Sequence, residues 1–203
     1  MGRWEPNAHA RLQQAAMELF HERGYDRTTV EEIAARAGLT ERTFFRYFSD
    51  KREVLFSSSK DLQALIIEAI AAAPAAVPPL HAVVAALEDT APFFENRRAH
   101  ARKRQALVTE HAELRERELI KLATLAAAVA ESLRRRGVAK AAASLIAETG
   151  LAIFKSAFER WVEDAKGHDL SHHIRGALAE LRLVTSRTEP ASSKRVAIRS
   201  RTV

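Results

Sequence analysis

Residues 28–48 read TTVEEIAARAGLTERTFFRYF, and this stretch decides the fold. Thr28 stands three residues before Glu31, which is the spacing of a capping box and predicts a helix that starts directly after Thr28. Gly38 ends that helix, and Thr40 can cap a second one through its side-chain oxygen. Two short helices joined by a glycine-containing turn are typical of a helix-turn-helix, although similar pairs also occur as packing units in helical bundles.

The segments on both sides of this stretch also have helical spacing. After it, a long helix is predicted from about Lys51 to Ala73, and another that starts at Pro79 and ends or kinks at Pro92. Before it, apolar residues recur at intervals of three and four and end at Gly24: Leu12, Ala15, Ala16, Leu19 and Phe20. Further helices are predicted near residues 96–110, 112–136, 138–165 and 169–186. The sequence has no alternating strand pattern bounded by turn residues, so it predicts an all-α fold.

The composition excludes several classes of protein. The chain has 203 residues, of which 47% are hydrophobic and 29% charged, as expected of a soluble globular protein. It contains no cysteine, so disulfides and thiolate metal sites are excluded. No apolar run reaches the roughly 18 residues of a membrane span, and the N-terminus lacks the apolar segment of a signal peptide. We therefore expect a cytoplasmic protein without a membrane partner.

The net charge of +6 does not by itself indicate a nucleic-acid-binding surface. Residues 1–52 hold nine Lys or Arg against eight Asp or Glu, and residues 53–186 hold eighteen against seventeen. Residues 187–203 hold five against one and so carry +4 of the total. An argument for DNA binding therefore has to rest on the local arrangement of side chains.

The N-terminal motifs together resemble the DNA-binding domain of the TetR family. The resemblance rests on segments that follow one another in order: AMELF at 16–20, GYDRTTV at 24–30, IA at 33–34, GLT at 38–40, TFFRYF at 43–48 and DK at 50–51. It implies an N-terminal three-helix helix-turn-helix domain over residues 1–52 and a helical ligand-sensing and dimerisation bundle over residues 53–186. Residues 187–203 are rich in Ser, Thr, Lys and Arg and are predicted to form a disordered basic tail.

The resemblance also implies which side chains meet DNA. The residues that would contact phosphate are Thr29, Thr40, Thr43, Tyr47 and Lys51. Arg42 and Arg46 are the candidates for reading bases, because a guanidinium can donate two hydrogen bonds to a guanine edge. Phe44 and Phe48 are assigned to the core. Phe45 departs from the family pattern, since many relatives have a phosphate-binding tyrosine there, and Arg42 replaces a frequent glycine.

The last two predicted helices are expected to join two copies of the chain. Apolar residues lie on more than one side of 138–165 and in one stripe on 169–186, and the resemblance implies a homodimer through these helices. The residues assigned to this interface are Leu145, Ile153, Trp161, Ile174, Leu178 and Leu181. Because a two-fold dimer places two recognition helices about one DNA turn apart, the expected partner is a near-palindromic double-stranded operator.

The alanine-rich helices of the C-terminal part leave two interpretations open. They could enclose a pocket for a small apolar or amphipathic effector, or they could form an ordinary close-packed core. The candidate pocket walls are Phe93, Phe94, His100, Arg104, Leu107, His111, Leu122, Leu125, Phe154 and Phe158. The basic residues between 97 and 104 could face an anionic ligand such as an acyl thioester, or form a solvated face that pairs with the glutamates of 110–118.

Three histidines near the last helix raise the question of a metal site. His168 and His172 stand one helical turn apart and His173 follows, but His168 precedes the predicted helix. The carboxylate found at ligand spacing is Asp169. The sequence therefore predicts neither a metal site nor a cofactor.

These features favour a transcriptional regulator over other classes. The leading hypothesis is a repressor that an effector releases from its operator, and an effector-independent DNA-binding regulator remains open. A helical enzyme or carrier would need a clustered acid, base or nucleophile, a metal motif or a phosphate loop, and the sequence offers none. A protein that binds DNA regardless of sequence would need a more basic N-terminal part.

Overall fold

The computed structural model describes residues 7–94 and 97–186, so the tail predicted for residues 187–203 lies outside the described residues. Within them the secondary structure is helical and contains no strand, which confirms the all-α prediction. The helices, in chain order, are α1 (Ala8–Arg23), α2 (Val30–Arg36), α3 (Glu41–Tyr47), a 3-10 helix (Lys51–Phe56), α4 (Ser59–Ala72), α5 (Pro79–Glu88), α6 (Ala91–Phe94), α7 (Arg98–Glu110), α8 (Ala112–Arg135), α9 (Lys140–Glu163) and α10 (Leu170–Ser186).

The capping box of α2 lies one residue later than the sequence suggested. Thr29 accepts a hydrogen bond from the main-chain amide of Glu32 at 3.2 Å, and Glu32 accepts one from the amide of Thr29 at 3.0 Å. Thr28 is buried, and its hydroxyl donates to the carbonyl of Gly24 at 2.9 Å. The prediction of Thr28 and Glu31 was therefore wrong, because Thr28 is buried with its hydroxyl bonded to Gly24, which leaves the exposed Thr29 to start the helix.

The single long helix predicted from Lys51 to Ala73 is two elements. Asp50 caps the 3-10 helix, since its carboxylate accepts from the main-chain amides of Arg52 at 2.8 Å and Glu53 at 3.2 Å. A turn at 57–58 then separates the 3-10 helix from α4. Val54, Leu55 and Phe56 are all buried in the N-terminal core. Because successive side chains of a 3-10 helix point about 120° apart, this burial means that the helix is enclosed on several sides.

The proline predictions hold at one end of α5 and fail at the other. Pro79 occupies the first turn of α5, where a missing amide hydrogen costs nothing. The helix ends at Glu88, before Pro92, which lies in the separate short helix α6. The buried Thr90 turns the chain here by donating its hydroxyl to the carbonyl of Leu87 at 2.6 Å.

The described residues form two hydrophobic cores. The N-terminal core consists of α1, α2, α3 and the 3-10 helix, and it also takes Val108 from α7 and Leu114 from α8. It therefore continues past the boundary predicted after residue 52 and includes these two residues from the second half of the chain. The C-terminal core is built by α4, α5 and α7–α10, with α9 at its centre.

Helix α9 explains why the sequence pattern of 138–165 is apolar on several sides. It packs against α5, α7, α8 and α10, and it passes close enough to α5 that a Cβ built on Gly150 would lie 2.5 Å from Cγ1 of Val83. By length and composition α9 could also cross a membrane. The same properties belong to a helix enclosed in a bundle, which is where α9 lies.

Most of the residues predicted for the dimer interface lie inside the single chain. Ile153, Trp161, Ile174 and Leu178 are buried in the core of the chain itself, so they offer little surface to a partner. Leu181 is partly buried against the same core. Leu145 is exposed, and so are Leu183 and Val184 on α10, which the sequence analysis did not select.

Candidate nucleic-acid interface and effector site

Helix α3 separates a buried face from an exposed one. Phe44 and Phe48 are buried in the N-terminal core, as predicted from their spacing. Phe45 is 54% exposed and Tyr47 is 39% exposed, and Arg42 and Arg46 are also exposed. The outer face of α3 therefore carries two guanidinium groups and two aromatic rings.

Arg46 and Tyr47 form a pair on this face. The guanidinium of Arg46 lies 5.0 Å from the centre of the Tyr47 ring and donates a hydrogen bond to the phenol oxygen at 3.3 Å. Because the phenol oxygen acts as the acceptor, its own hydrogen stays available for an outside acceptor such as a phosphate. The two side chains present a cation and a neutral donor next to each other.

The three predicted threonines lie at the first turns of α2 and α3. Thr29 is the N-cap of α2 and Thr40 is the N-cap of α3, where it accepts from the main-chain amide of Thr43 at 3.2 Å. The hydroxyls of Thr40 and Thr43 lie 3.1 Å apart, so one of them donates to the other. The second hydroxyl hydrogen of this pair can serve a phosphate oxygen at the helix start.

Lys51 is held by the protein's own main chain. Its ammonium donates to the carbonyls of Tyr25 at 2.9 Å and Thr28 at 3.2 Å, and it lies 4.2 Å from the centre of the Tyr25 ring. A third carbonyl, that of Asp26, is 3.4 Å away. The ammonium thus ties the 3-10 helix to the turn between α1 and α2, and these carbonyls compete with any phosphate for it.

The predicted effector-pocket residues fall into four separate places. Phe93, Phe94, Phe154 and Phe158 lie in one aromatic cluster inside the bundle. Leu125 is buried in the C-terminal core and Leu122 packs beside it. Arg104, Leu107 and His111 lie at the junction of the two cores, whereas His100 lines an open groove of about 410 Å³ between α1 and α7.

The aromatic cluster is centred on Phe94. Its ring centre is 5.5 Å from that of Phe158, 5.8 Å from that of Trp161 and 6.3 Å from that of Phe154. Sequence reasoning missed Trp161 here and placed it at the dimer interface instead. Arg98 covers the Trp161 ring at 5.2 Å, so the cluster is apolar inside and cationic at its edge.

The basic residues of α7 are occupied mainly by main-chain carbonyls. Arg98 donates to the carbonyls of Asp164, at 2.9 Å, and His168. Arg102 donates to the carbonyl of Val162 at 2.8 and 3.0 Å, where α9 ends. Cations at a helix C-terminus interact favourably with its free carbonyls. These two arginines therefore secure the end of α9.

A network of ion pairs crosses the junction between the two cores. Arg104 pairs with Glu118 at 2.9 Å, and Glu53 of the 3-10 helix pairs with Arg117 and, at 3.0 Å, with Lys121 of α8. Burial by itself would raise the pKa of Glu53, but the hydrogen bonds from Arg117 and Lys121 outweigh it, so the pKa lies below its ordinary value. This carboxylate is thus held in its charged form against α8.

A second polar cluster lies where α9 ends and α10 begins. The carboxylate of Asp164 lies 3.0 Å from Nδ1 of His168 and 3.4 Å from Nε2 of His173. The main-chain amide of Lys166 donates to the same carboxylate at 2.8 Å and lowers its pKa. The sequence analysis considered Asp169 and overlooked Asp164. The turn between α9 and α10 brings Asp164 to the histidines, and helical spacing does not reveal the path of a turn.

A helix-turn-helix with exposed arginines, joined to a C-terminal helical bundle, is typical of a DNA-binding transcriptional regulator. Two family models match the chain: "Bacterial regulatory proteins, tetR family" over residues 12–57, and "MftR C-terminal domain" over residues 77–185. The second match alone spans more than half of the chain. The chain therefore belongs to the TetR family of transcriptional regulators.

Comparison with individual proteins gives the same picture. The transcriptional regulator TcmR of Streptomyces glaucescens is 40% identical over 68 residues, which are 34% of this chain and only 30% of that protein. A Mycobacterium tuberculosis protein assigned as the mycofactocin biosynthesis regulator MftR is 26% identical over 167 residues, 81% of this chain and 84% of the relative. The structure of Thermus thermophilus FadR, a repressor in complex with lauroyl-CoA, is 25% identical with a TM-score of 0.56 and covers 92% of this chain and 99% of its own.

Proposed function

We propose that this regulator is a cytoplasmic homodimeric repressor that binds a near-palindromic operator and is released from it by a small amphipathic effector. The DNA-binding part of the proposal rests on the outer face of α3, where Arg42, Arg46 and Tyr47 are exposed. On the opposite side Phe44 and Phe48 are buried in the N-terminal core. The two arginines read bases in the major groove. Tyr47 and the threonines at the starts of α2 and α3 hold phosphates and fix the register.

The dimer forms through the last two helices. Leu145 on α9 and Leu183 and Val184 on α10 are large apolar side chains that stay exposed in the single chain. Apolar surface of this kind is stabilised when a second copy covers it. We assign the DNA-binding domain to the N-terminal core, which reaches Phe56, and the sensing and dimerisation domain to the bundle that follows.

The effector site lies at the aromatic cluster around Phe94. An amphipathic molecule suits a site with apolar rings inside and the guanidinium of Arg98 at its edge. The Thermus thermophilus FadR repressor, which shares the fold, was solved with lauroyl-CoA, an acyl thioester with an apolar chain and an anionic head. We propose an acyl thioester as the effector class.

The second candidate is a regulator that needs no effector. The rings of Phe94, Phe154, Phe158 and Trp161 pack directly on one another at centre distances of 5.5–6.3 Å. Such contacts are those of an ordinary aromatic core. An effector would then have to separate these rings, whereas an effector-independent regulator would keep them closed.

The DNA-binding proposal is tested by footprinting the purified protein on DNA that flanks its gene. We expect protection of a near-palindromic site, and we expect the variants Arg42→Ala and Tyr47→Ala to lose it. Arg36→Ala is the matched control, because Arg36 lies at the end of α2 and pairs with Glu22 of α1 at 2.8 Å. Equal protection by all four proteins, or protection of no site, contradicts the proposal.

The effector proposal is tested on the same operator by gel shift with lauroyl-CoA. We expect it to release the protein from DNA, and we expect Phe158→Ala to change the concentration required. Free coenzyme A is the control for binding through the head group alone. Unchanged DNA binding at saturating lauroyl-CoA favours the effector-independent candidate.

A further inference from the structure

The turn between α9 and α10 gathers one carboxylate and two imidazoles that the regulatory function does not use. Asp164 lies one residue after the end of α9, His168 lies in the turn, and His173 lies in the first turn of α10. Their ligand atoms all lie within 4.8 Å of one another. We propose that these three side chains form a binding site for one transition-metal dication of the Zn²⁺ class.

The distances between the ligand atoms fit a tetrahedral metal. Zn–N and Zn–O bonds of about 2.0–2.2 Å place neighbouring ligands of a tetrahedron about 3.3–3.5 Å apart. Asp164 Oδ2 lies 3.0 Å from Nδ1 of His168 and 3.4 Å from Nε2 of His173. Two of the three edges are therefore already near the required length, and the third is no longer than 4.8 Å.

The donor set also fits this class of metal. Imidazole nitrogen is a preferred ligand of Zn²⁺, Ni²⁺ and Cu²⁺, and two histidines with one carboxylate leave a fourth position for water. The side chain of His168 is 41% exposed, whereas those of His173 and Asp164 are 14% and 9% exposed. The site is therefore held by protein on one side and open to solvent on the other.

The main chain holds the carboxylate in place. Oδ1 of Asp164 accepts from the amide of Lys166 at 2.8 Å, and Oδ2 accepts from the amide of His168 at 2.8 Å. Arg98 donates to the carbonyls of Asp164 and His168 and so fixes the same turn from α7. The positive charge of Arg98 repels a bound metal ion, but its guanidinium is directed at carbonyl oxygens rather than at the carboxylate. Such outer contacts orient ligands and strengthen metal binding.

His172 provides a matched control within the same turn. Its ring stacks on that of His168, with centres 4.2 Å apart and planes at 14°. The lone pair of an imidazole lies in the ring plane, so two stacked rings cannot both direct a nitrogen at one metal ion between them. His172 is an exposed histidine of the same local sequence that should contribute little to binding.

The experiment is a titration of the full, tag-free chain with Co²⁺, followed by displacement with Zn²⁺. Tetrahedral Co²⁺ absorbs visible light strongly, so its spectrum reports the ligand geometry as well as the binding. The proteins compared are the wild type and the variants His168→Ala, His173→Gln and His172→Ala. Thermal unfolding without metal is measured for each protein to check that it is folded. His168→Ala changes an exposed side chain, so we expect at least this ligand variant to stay folded.

We expect one equivalent of Co²⁺ with a tetrahedral spectrum, at least tenfold weaker binding in His168→Ala and His173→Gln, and binding within about twofold of wild type in His172→Ala. We also expect Zn²⁺ to raise the unfolding temperature of the wild type but not of His168→Ala, because a metal that binds the folded state alone stabilises it. Equal binding by wild type and His168→Ala overturns the proposal. A loss in His172→Ala as large as that in His168→Ala overturns the ligand set.

Discussion

The guanidinium of Arg104 donates to the main-chain carbonyl of Leu55 at 2.9 Å and so joins α7 to the end of the 3-10 helix. The same group pairs with Glu118 at 2.9 Å and lies 4.8 Å from the centre of the Phe56 ring. Arg104 therefore contacts the DNA-binding core and the bundle at once. A residue proposed from the sequence as a pocket wall therefore connects the two hydrophobic cores.

Arg104→Gln is predicted to lower the free energy of unfolding by about 1–3 kcal/mol, since it leaves Glu118 without its partner in a largely buried position. Urea denaturation measures this loss. The double variant Arg104→Gln/Glu118→Gln should lose less than the sum of the two single variants, because neither charge is then left alone. Additive losses would show that the pair is not coupled.

Arg42→Ala and Arg46→Ala are predicted to reduce discrimination between operator variants by about 1–3 kcal/mol at one base pair each. Tyr47→Phe should instead weaken binding to all operator variants evenly, because it removes a phosphate contact. Binding to a panel of single-base operator variants at fixed salt separates the two effects. Equal losses on every operator for the arginine variants would assign Arg42 and Arg46 to phosphates.

Lys51→Met distinguishes a structural lysine from a phosphate-binding one. If the ammonium mainly ties the carbonyls of Tyr25 and Thr28, the variant should unfold more easily by about 1–3 kcal/mol. Thermal unfolding and operator affinity are measured on the same preparation. Weaker DNA binding with unchanged unfolding would restore the phosphate contact that the family resemblance implies.

Glu53 is predicted to make the protein sensitive to acid. Its pKa is lower in the folded chain than in the unfolded one, so its ion pairs stabilise the fold at neutral pH. That contribution is lost as the pH falls below the ordinary glutamate value of about 4.3 and through the lower folded value. The free energy of unfolding, measured by urea denaturation between neutral and acid pH, should depend less on pH in Glu53→Gln than in the wild type. The exposed Glu148→Gln is the control.

Gly150→Ala is predicted to destabilise the bundle by about 1–3 kcal/mol, because the added methyl group meets Val83 where α9 crosses α5. Gly176 lies in α10 with nothing within 4 Å of a built Cβ. Gly176→Ala should therefore be neutral or stabilising by up to about 1 kcal/mol. Equal effects of the two substitutions on the unfolding temperature would refute the close approach of α5 and α9.

Local sequence signals predicted the helices well but could not decide between adjacent residues of the same type. Thr28 and Thr29 are each followed three positions later by a glutamate, so both fit a capping box. Burial of Thr28 against Gly24 decides between them, and burial depends on how α1 and α2 pack. The break at 57–58 was missed for a related reason. The same apolar residues fit both a 3-10 helix and the first turn of an α-helix, so the sequence pattern does not distinguish the two.

Helical spacing also cannot tell a chain's own core from its surface towards a partner. Ile153 and Trp161 have the spacing of an interface stripe, yet the chain's own bundle covers them, because α9 has neighbours on several sides. Asp164 was missed because its relation to His173 depends on the path of a turn rather than on a helical repeat. These residues required the tertiary structure.

The presence of Val108 and Leu114 in the N-terminal core has a consequence for protein engineering. A chimeric regulator can be made by cutting after the DNA-binding helices and grafting them onto a foreign sensor. A graft cut at residue 52 or 57 would remove Val108 and Leu114 from the N-terminal core and expose the apolar surface of that core to water. A functional chimera of this chain should therefore keep the α7–α8 corner of its own sequence, so the exchangeable unit is discontinuous along the chain.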